Sequence, residues 1–145
     1  MRVVVDTGPL VAAANRRDQA HGLAAALVIE LGRDLVIPSP VLVEADRLLR
    51  ARVGARSARS LLRAVAAGEH RVAYLTPKLL RRATEIDERF DALDLGFTDA
   101  AVMAVAERED SPVLTFDVED FRAAPSEQGL WLLVVDESRY QDSTR

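Results

Sequence analysis

The stretch Met1–Val11, MRVVVDTGPLV, decides the fold. Val3, Val4 and Val5 form a β-branched run, which favours an extended strand. A run this continuous suits a strand covered on both faces. It stops at Asp6. Thr7, Gly8 and Pro9 follow, and then the apolar Leu10, Val11 and Ala12. A Thr or Gly cap with Pro in the first turn is a helix start. Asp6 therefore stands where a buried strand hands over to a helix. Ligands of open α/β sheets bind outside the carboxyl ends of strands. A lone buried carboxylate there is costly and needs a partner charge.

The chain has 145 residues, enough for one domain with a real core. With 49% hydrophobic residues and no long uninterrupted apolar run, it reads as a globular protein without a membrane span. The N-terminus has no signal-peptide pattern, and the expected location is the cytoplasm. Cysteine is absent, which excludes disulfides and thiolate metal sites. His21 and His70 are too few for a histidine-built zinc site. Any metal would be held by oxygen, which selects hard cations such as Mg²⁺ or Mn²⁺. The net charge of −4 speaks against a general nucleic-acid binder, although local charge differs from the mean.

Beyond the first strand, helices are expected at Leu10–Asn15 and Ala20–Leu31, the second stopped by Gly32. Leu35–Ile37 reads as a strand. Ser39 and Pro40 open a helix over Val41–Val53, and a further one covers Ala55–Ala67. Arg71–Leu75 is a strand, and Thr76 and Pro77 cap a helix reaching Phe90. Asp91–Phe97 reads as a loop and Thr98–Glu109 as a helix. Strands follow at Val113–Thr115 and Leu130–Val135, with a frayed polar tail from Gln141. Alternating strands and helices predict an α/β fold, a central parallel sheet flanked by helices on both faces, with right-handed crossovers. Residues 1–145 read as a single domain.

Three more acids sit in places comparable to Asp6. Glu44 lies in the first turns of its helix, at the edge of the apolar stripe that includes Val41, Ala45 and Leu48. Asp99 begins a helix that is apolar almost all round, so it points toward packed protein. The bland alternatives are acids that complement a helix dipole or cap a first turn. Asp117 follows a strand end by two residues, and Asp120 is the competing candidate three residues on. Four acids on one sheet edge would raise one another's pKa values unless a cation neutralised them. Such a site suits metal-assisted phosphodiester hydrolysis.

The sequence resembles PIN-domain ribonucleases, specifically the VapC-type toxins of bacterial toxin–antitoxin pairs. The matching stretches are VVVDTGPLVA, SPVLVEADRLL, LDLGFTDAAVMAVAER and VLTFDVEDF, in this order over nearly the whole chain. The resemblance implies a PIN-like fold, and Asp6, Glu44, Asp99 and Asp117 as an acidic quartet. It implies supporting roles for Thr7 and Thr115. It also implies Mg²⁺ or Mn²⁺, an RNA substrate, a homodimer, and a cognate antitoxin that blocks the site.

Arg56, Arg59 and Arg63 fall on one face of the helix over Ala55–Ala67, opposite Leu61, Leu62 and Val65. They are candidate RNA contacts, since a phosphate backbone needs local positive charge. A plain solvated helix face explains them equally well. Lys78, Arg81, Arg82 and Arg89 make a second basic cluster. The rival readings are a metal-dependent DNA nuclease or phosphodiesterase and a non-catalytic PIN-like binding module. The second rival predicts a broken acidic set, whereas all four acids are present. A receiver domain would want an acidic neighbour beside Asp6. A nucleotide-binding domain would want a glycine-rich phosphate loop. A serine hydrolase would want a nucleophile elbow. None of these is present.

Overall fold

The valine run forms β1, Val3–Val5, with all three side chains buried. The computed structural model describes residues 1–129 and 131–133. β1 pairs in parallel with β2, Leu35–Pro38, on one side and with β4, Val113–Leu114, on the other. β3, Arg71–Ala73, adds to the outer edge of β2, so the sheet order is β3-β2-β1-β4. Every side chain of β2 is buried too, as expected of strands packed on both faces. The chain builds outward from β1 to β2 and β3, then returns to the far side of β1. The carboxyl ends of β1 and β4 therefore meet at the topological switch point, where a crevice opens.

The helices are α1 Thr7–Ala14, α2 His21–Leu31, α3 Ser39–Arg52 and α4 Ala55–Ala66. They are followed by α5 Pro77–Arg89, α6 Gly96–Glu109 and α7 Val118–Ala123. α6 is buried from Ala100 through Ala106, in line with its lack of a polar face. α5 packs along α6, while α1 to α4 pack on one another. No helix among the described residues is long and apolar enough to cross a membrane.

Several boundaries move for identifiable reasons. α1 begins at Thr7 rather than Leu10, because Asp6 itself is the cap and accepts the Thr7 backbone N–H. A carboxylate accepts that donor directly, and no Thr or Gly cap is needed. α6 begins at Gly96, and Asp91–Leu93 forms a 3-10 turn inside the expected loop. β3 is shorter than expected, and Thr115 lies just past the end of β4. α7 is a helix that the sequence pattern above does not assign. Its Phe121 is fully buried, and the ring meets Trp131 edge-on at 5.9 Å. Of the expected last strand, Leu133 makes a parallel bridge with Val113. Leu130, Val134 and Val135 of that stretch lie outside the described residues, as does the polar tail. Both histidines bond to backbone carbonyls, His21 to Ala12 and His70 to Gly32.

Candidate active site

Asp6 is placed by the sheet. The ladder between β1 and β4 pairs Val5 with Leu114, and the Asp6 N–H continues it by donating to the Leu114 carbonyl at 2.9 Å. Just past the end of β4 is Thr115, fully buried, whose hydroxyl donates to Asp6 Oδ2 at 2.8 Å. Asp6 Oδ1 accepts the Thr7 N–H, also at 2.8 Å. Thr115 Oγ1 in turn accepts the Asp117 backbone N–H at 3.0 Å. One hydroxyl thus ties two acids together, one from each side of the switch point. Thr7 Oγ1 is buried and has no hydrogen-bond partner among the described residues. A buried orphan hydroxyl of this kind usually faces a ligand or water.

Asp6, Glu44, Asp99 and Asp117 come from four different elements and line one cavity of about 410 Å³, together with Thr7, Gly8, Leu48, Arg52 and Phe116. Glu44 projects from α3 one turn before Leu48. Asp99 stands in the first turn of α6. Asp117 is the cap residue of α7, and Asp120 lies in the first turn of that helix. Residues three apart on a helix share a face, which brings both candidates for the last acid to the same place. One carboxylate oxygen from each of Asp99, Asp117 and Asp120 lies within 4.8 Å of the others. The sequence choice between Asp117 and Asp120 is therefore not exclusive. The apolar spacing Val118, Phe121, Ala124 was the signal for a helix there.

None of these acids has an ion-pair partner among the described residues, and the electrostatic cost is visible. Burial pushes the Asp6 carboxyl above its ordinary range, bonds from Thr115 and Thr7 pull it back, and Glu44 and Asp120 add to the rise. Asp99 is pushed up to about 7, first by burial and then by Asp6, Asp117, Asp120 and Glu44. Asp117 rises to about 6 through burial and a hydrogen bond shared with the Asp120 carboxyl. A cluster of carboxylates that resist ionising together is what an oxygen-ligated cation relieves. The donor set is all oxygen and fits a hard divalent ion.

Residues 3–126 match the PIN domain family. The chain belongs to the PIN-domain family. Among PIN-domain relatives, ribonuclease VapC26 of Mycobacterium tuberculosis is 28% identical over 123 residues, spanning 83% of this chain and 90% of that protein. The crystal structure of VapC20 from the same organism, described as a sarcin-ricin loop cleaving toxin, is also similar. It superposes with a TM-score of 0.73 at 29% identity, covering 79% of this chain and 89% of that one. VapBC2 of Rickettsia felis, solved bound to a promoter DNA fragment, shares the PIN fold with a TM-score of 0.65 at 17% identity, covering 86% and 94% of the two chains.

The expected RNA contacts are placed less uniformly. Arg56, Arg59 and Arg63 are all exposed on α4. Arg56 lines a cavity with Arg16, Arg17 and Arg52. Arg59 and Arg63 lie further along α4, outside that lining. Arg82, in the second basic cluster, is held by Glu107 at 2.8 and 3.0 Å and by Glu85 at 3.2 Å. The sequence reading did not single out Arg16 and Arg17, although the adjacent pair in the turn after α1 was visible there.

Proposed function

We propose that this chain is a VapC-type toxin, a Mg²⁺-dependent endoribonuclease that cleaves RNA phosphodiester bonds with water as nucleophile. The observation that carries the reading is the convergence of Asp6, Glu44, Asp99 and Asp117 on one cavity at the sheet's switch point. The 28% identity to a ribonuclease VapC supports the activity class. Asp6, Glu44, Asp99 and Asp117, with Asp120 adjoining, would hold Mg²⁺, or Mn²⁺ in its place. When bound, the ion supplies charge neutralisation, Lewis acidity at a phosphoryl oxygen and a lowered pKa for water.

The chain's own residues do the positioning. The Thr7 N–H and the Thr115 hydroxyl fix both oxygens of Asp6. Asp99 reaches the cavity from the first turn of a helix whose middle, Ala100–Ala106, is buried and so holds it in place. Phe121 packing against Trp131 seats α7, so Asp117 and Asp120 are presented together. The orphan hydroxyl of Thr7 is available to a substrate oxygen or to water. Arg52, at the edge of the cavity, and the Arg56, Arg59 and Arg63 series offer positive charge to the RNA backbone.

The same reading gives a cytoplasmic protein of one PIN-like unit, a homodimer, and a cognate antitoxin that blocks the site. An apolar cavity next to Glu44, walled by Val43, Leu75 and Phe97, is a surface that such a protein partner would cover. The solved toxin–antitoxin complex from Klebsiella pneumoniae shares the fold at 15% identity and supports the fold only.

The test is cleavage of matched single-stranded RNA and DNA oligonucleotides by the purified chain, with Mg²⁺, with Mn²⁺ and with EDTA. The reading expects internal cuts in RNA that require the metal. Cuts in DNA with RNA left intact would transfer the site to a DNA nuclease. No cleavage of either, with metal bound, would point to a binding module.

A further inference from the structure

Three cavities follow one another along α3, and their linings change character from end to end. At the N-terminal end lies the cavity of about 690 Å³ walled by Val43, Leu75 and Phe97, with Arg47 beside Glu44. The acid cavity comes next and runs from Glu44 past Leu48 to Arg52. Beyond it is a cavity of about 520 Å³ whose charged lining is Arg16, Arg17, Arg52 and Arg56, with no carboxylate in it. Glu44, Leu48 and Arg52 repeat every four residues and form one stripe. From Glu44 to Arg52 the helix advances about 12 Å, at roughly 1.5 Å per residue. Arg52 belongs to both the acid and the basic cavity.

Tertiary structure assembles the basic cavity. Asn15 ends α1, and its side-chain oxygen accepts the Arg17 N–H at 3.1 Å, an Asx turn that carries Arg16 and Arg17. The Ser57 hydroxyl donates to the Ala14 carbonyl at 3.0 Å and pins α4 to the end of α1. Between α3 and α4, Gly54 has φ +143°, a conformation side chains resist, and Arg52 and Arg56 stand on either side of it. All four arginines are exposed and make no ion pair among the described residues. Arg2, Arg50, Arg82 and Arg108 each have a carboxylate partner.

We infer that this basic cavity is the track of the RNA backbone on one side of the scissile phosphate. The strand leaves the acid cavity over Arg52 and lays its next phosphates against Arg56, Arg16 and Arg17. The inference rests on the ribonuclease reading above. Guanidinium forks match phosphate oxygens, and each contact releases counterions. The cavity at the opposite end of α3 has a mainly apolar lining with Ser39 and Thr98, and its one cation, Arg47, is offset by Glu44, so the electrostatic footprint is one-sided.

The experiment uses fluorescein-labelled single-stranded RNA and anisotropy titrations at several salt concentrations, on full-length protein carrying Asp99→Asn so that RNA is not cut. Adding Arg16→Gln, Arg17→Gln and Arg56→Gln weakens binding roughly tenfold or more and lowers the salt slope by about 2, at roughly 0.7 per lost phosphate contact on a single strand. A control with the same charge change, Lys78→Gln, Arg81→Gln and Arg89→Gln, leaves the slope in place. In cleavage-competent protein the first triple variant raises KM while kcat holds. Lengthening the RNA on one side of the cut restores less affinity to this variant than to wild type, and lengthening it on the other side makes no such difference. A melting curve like wild type shows that the fold is intact.

Unchanged affinity and slope, in a protein whose Asp99 form cuts RNA, would overturn the track and leave the ribonuclease reading standing. An equal loss in the control variant would overturn it as well, because net charge alone would then explain the effect. Loss of affinity for a polyglutamate peptide with RNA affinity unchanged would assign the cavity to an acidic protein partner and overturn the RNA track. Wild-type protein that neither binds nor cuts RNA would remove the ribonuclease reading itself.

Discussion

The acid cavity and the arginine cavity meet at Arg52, yet they leave charge unneutralised in opposite ways. Asp6 is buried, Glu44, Asp99 and Asp120 are half-buried and Asp117 is exposed, and burial and crowding show in the carboxyls of Asp6, Asp99 and Asp117, pushed above the ordinary range. The arginines stand in solvent, where an unpartnered cation costs little. Elsewhere the fold pairs some of its charges. Arg82 bridges α5 to Glu107 on α6, and Arg2 reaches Glu109 across the chain. Exposed cations without an ion pair, such as Lys78 and Arg81, also occur elsewhere among the described residues, so what sets the basic cavity apart is four arginines gathered on one lining that holds no carboxylate. On the function proposed above, a cation would complete the acids and an RNA phosphate the arginines.

The two cavities should differ most in catalysis. Asp99→Asn keeps the shape of the side chain but removes one negative charge from the cluster. RNA cleavage should fall by roughly a hundredfold or more, the range seen when a charge-stabilising group leaves an active site, while circular dichroism stays native. Removing an arginine partner from the basic cavity should cost affinity, not the chemical step. Near-wild-type cleavage by purified Asp99→Asn protein would mean that the acid cluster is structural after all.

A smaller effect separates the two regions by pH. Asp99 and Asp117 titrate near about 7 and about 6 in the fold, above the roughly 3.9 of an unfolded aspartate. A raised folded-state pKa contributes stability that is full below the unfolded pKa and is lost as pH rises through the folded one. Metal-free wild type should therefore lose thermal stability through these groups as pH climbs from about 5 to about 8. Asp99 dominates, because Asp117 is more exposed and better screened. Asp99→Asn removes part of the loss, so its melting temperature gains on wild type by several degrees toward the alkaline end. The arginine triple variant should show no such pH-dependent gain. A constant gap between Asp99→Asn and wild type across this range would show that the cluster is not strained in solution.

The fold was legible where local patterns are strong. The run Val3–Val5 ending at Asp6 located the central strand and the switch-point acid at once, because β-branching and abrupt polarity act within a few residues. The apolar circumference of α6 marked it as buried without knowledge of its neighbours. The four acids could be picked out because each stands at a strand end or in the first turns of a helix. What the sequence concealed depends on tertiary contact. That Asp6 caps α1 itself, rather than leaving this to Thr7 or Gly8, follows from how β1 delivers it. Asp120 joins Asp117 only because Phe121 is buried and winds six residues into α7. Arg16 and Arg17 meet Arg52 and Arg56 through the Gly54 reversal and the bond from Ser57 to Ala14. Arg82 looked like its basic neighbours in sequence, yet its main partner, Glu107, is 25 residues away.

Direct Mn²⁺ binding tests whether the acid cavity is a divalent-cation site. Electron paramagnetic resonance of free Mn²⁺ gives occupancy without any substrate, in metal-free protein near neutral pH. Wild type should deplete the free-ion signal and gain thermal stability, by about 2.7 kcal/mol at roughly one hundred times Kd. Asp99→Asn, folded by circular dichroism, should bind much more weakly and gain little. Equal Mn²⁺ affinity in wild type and Asp99→Asn would contradict the assignment of the cavity.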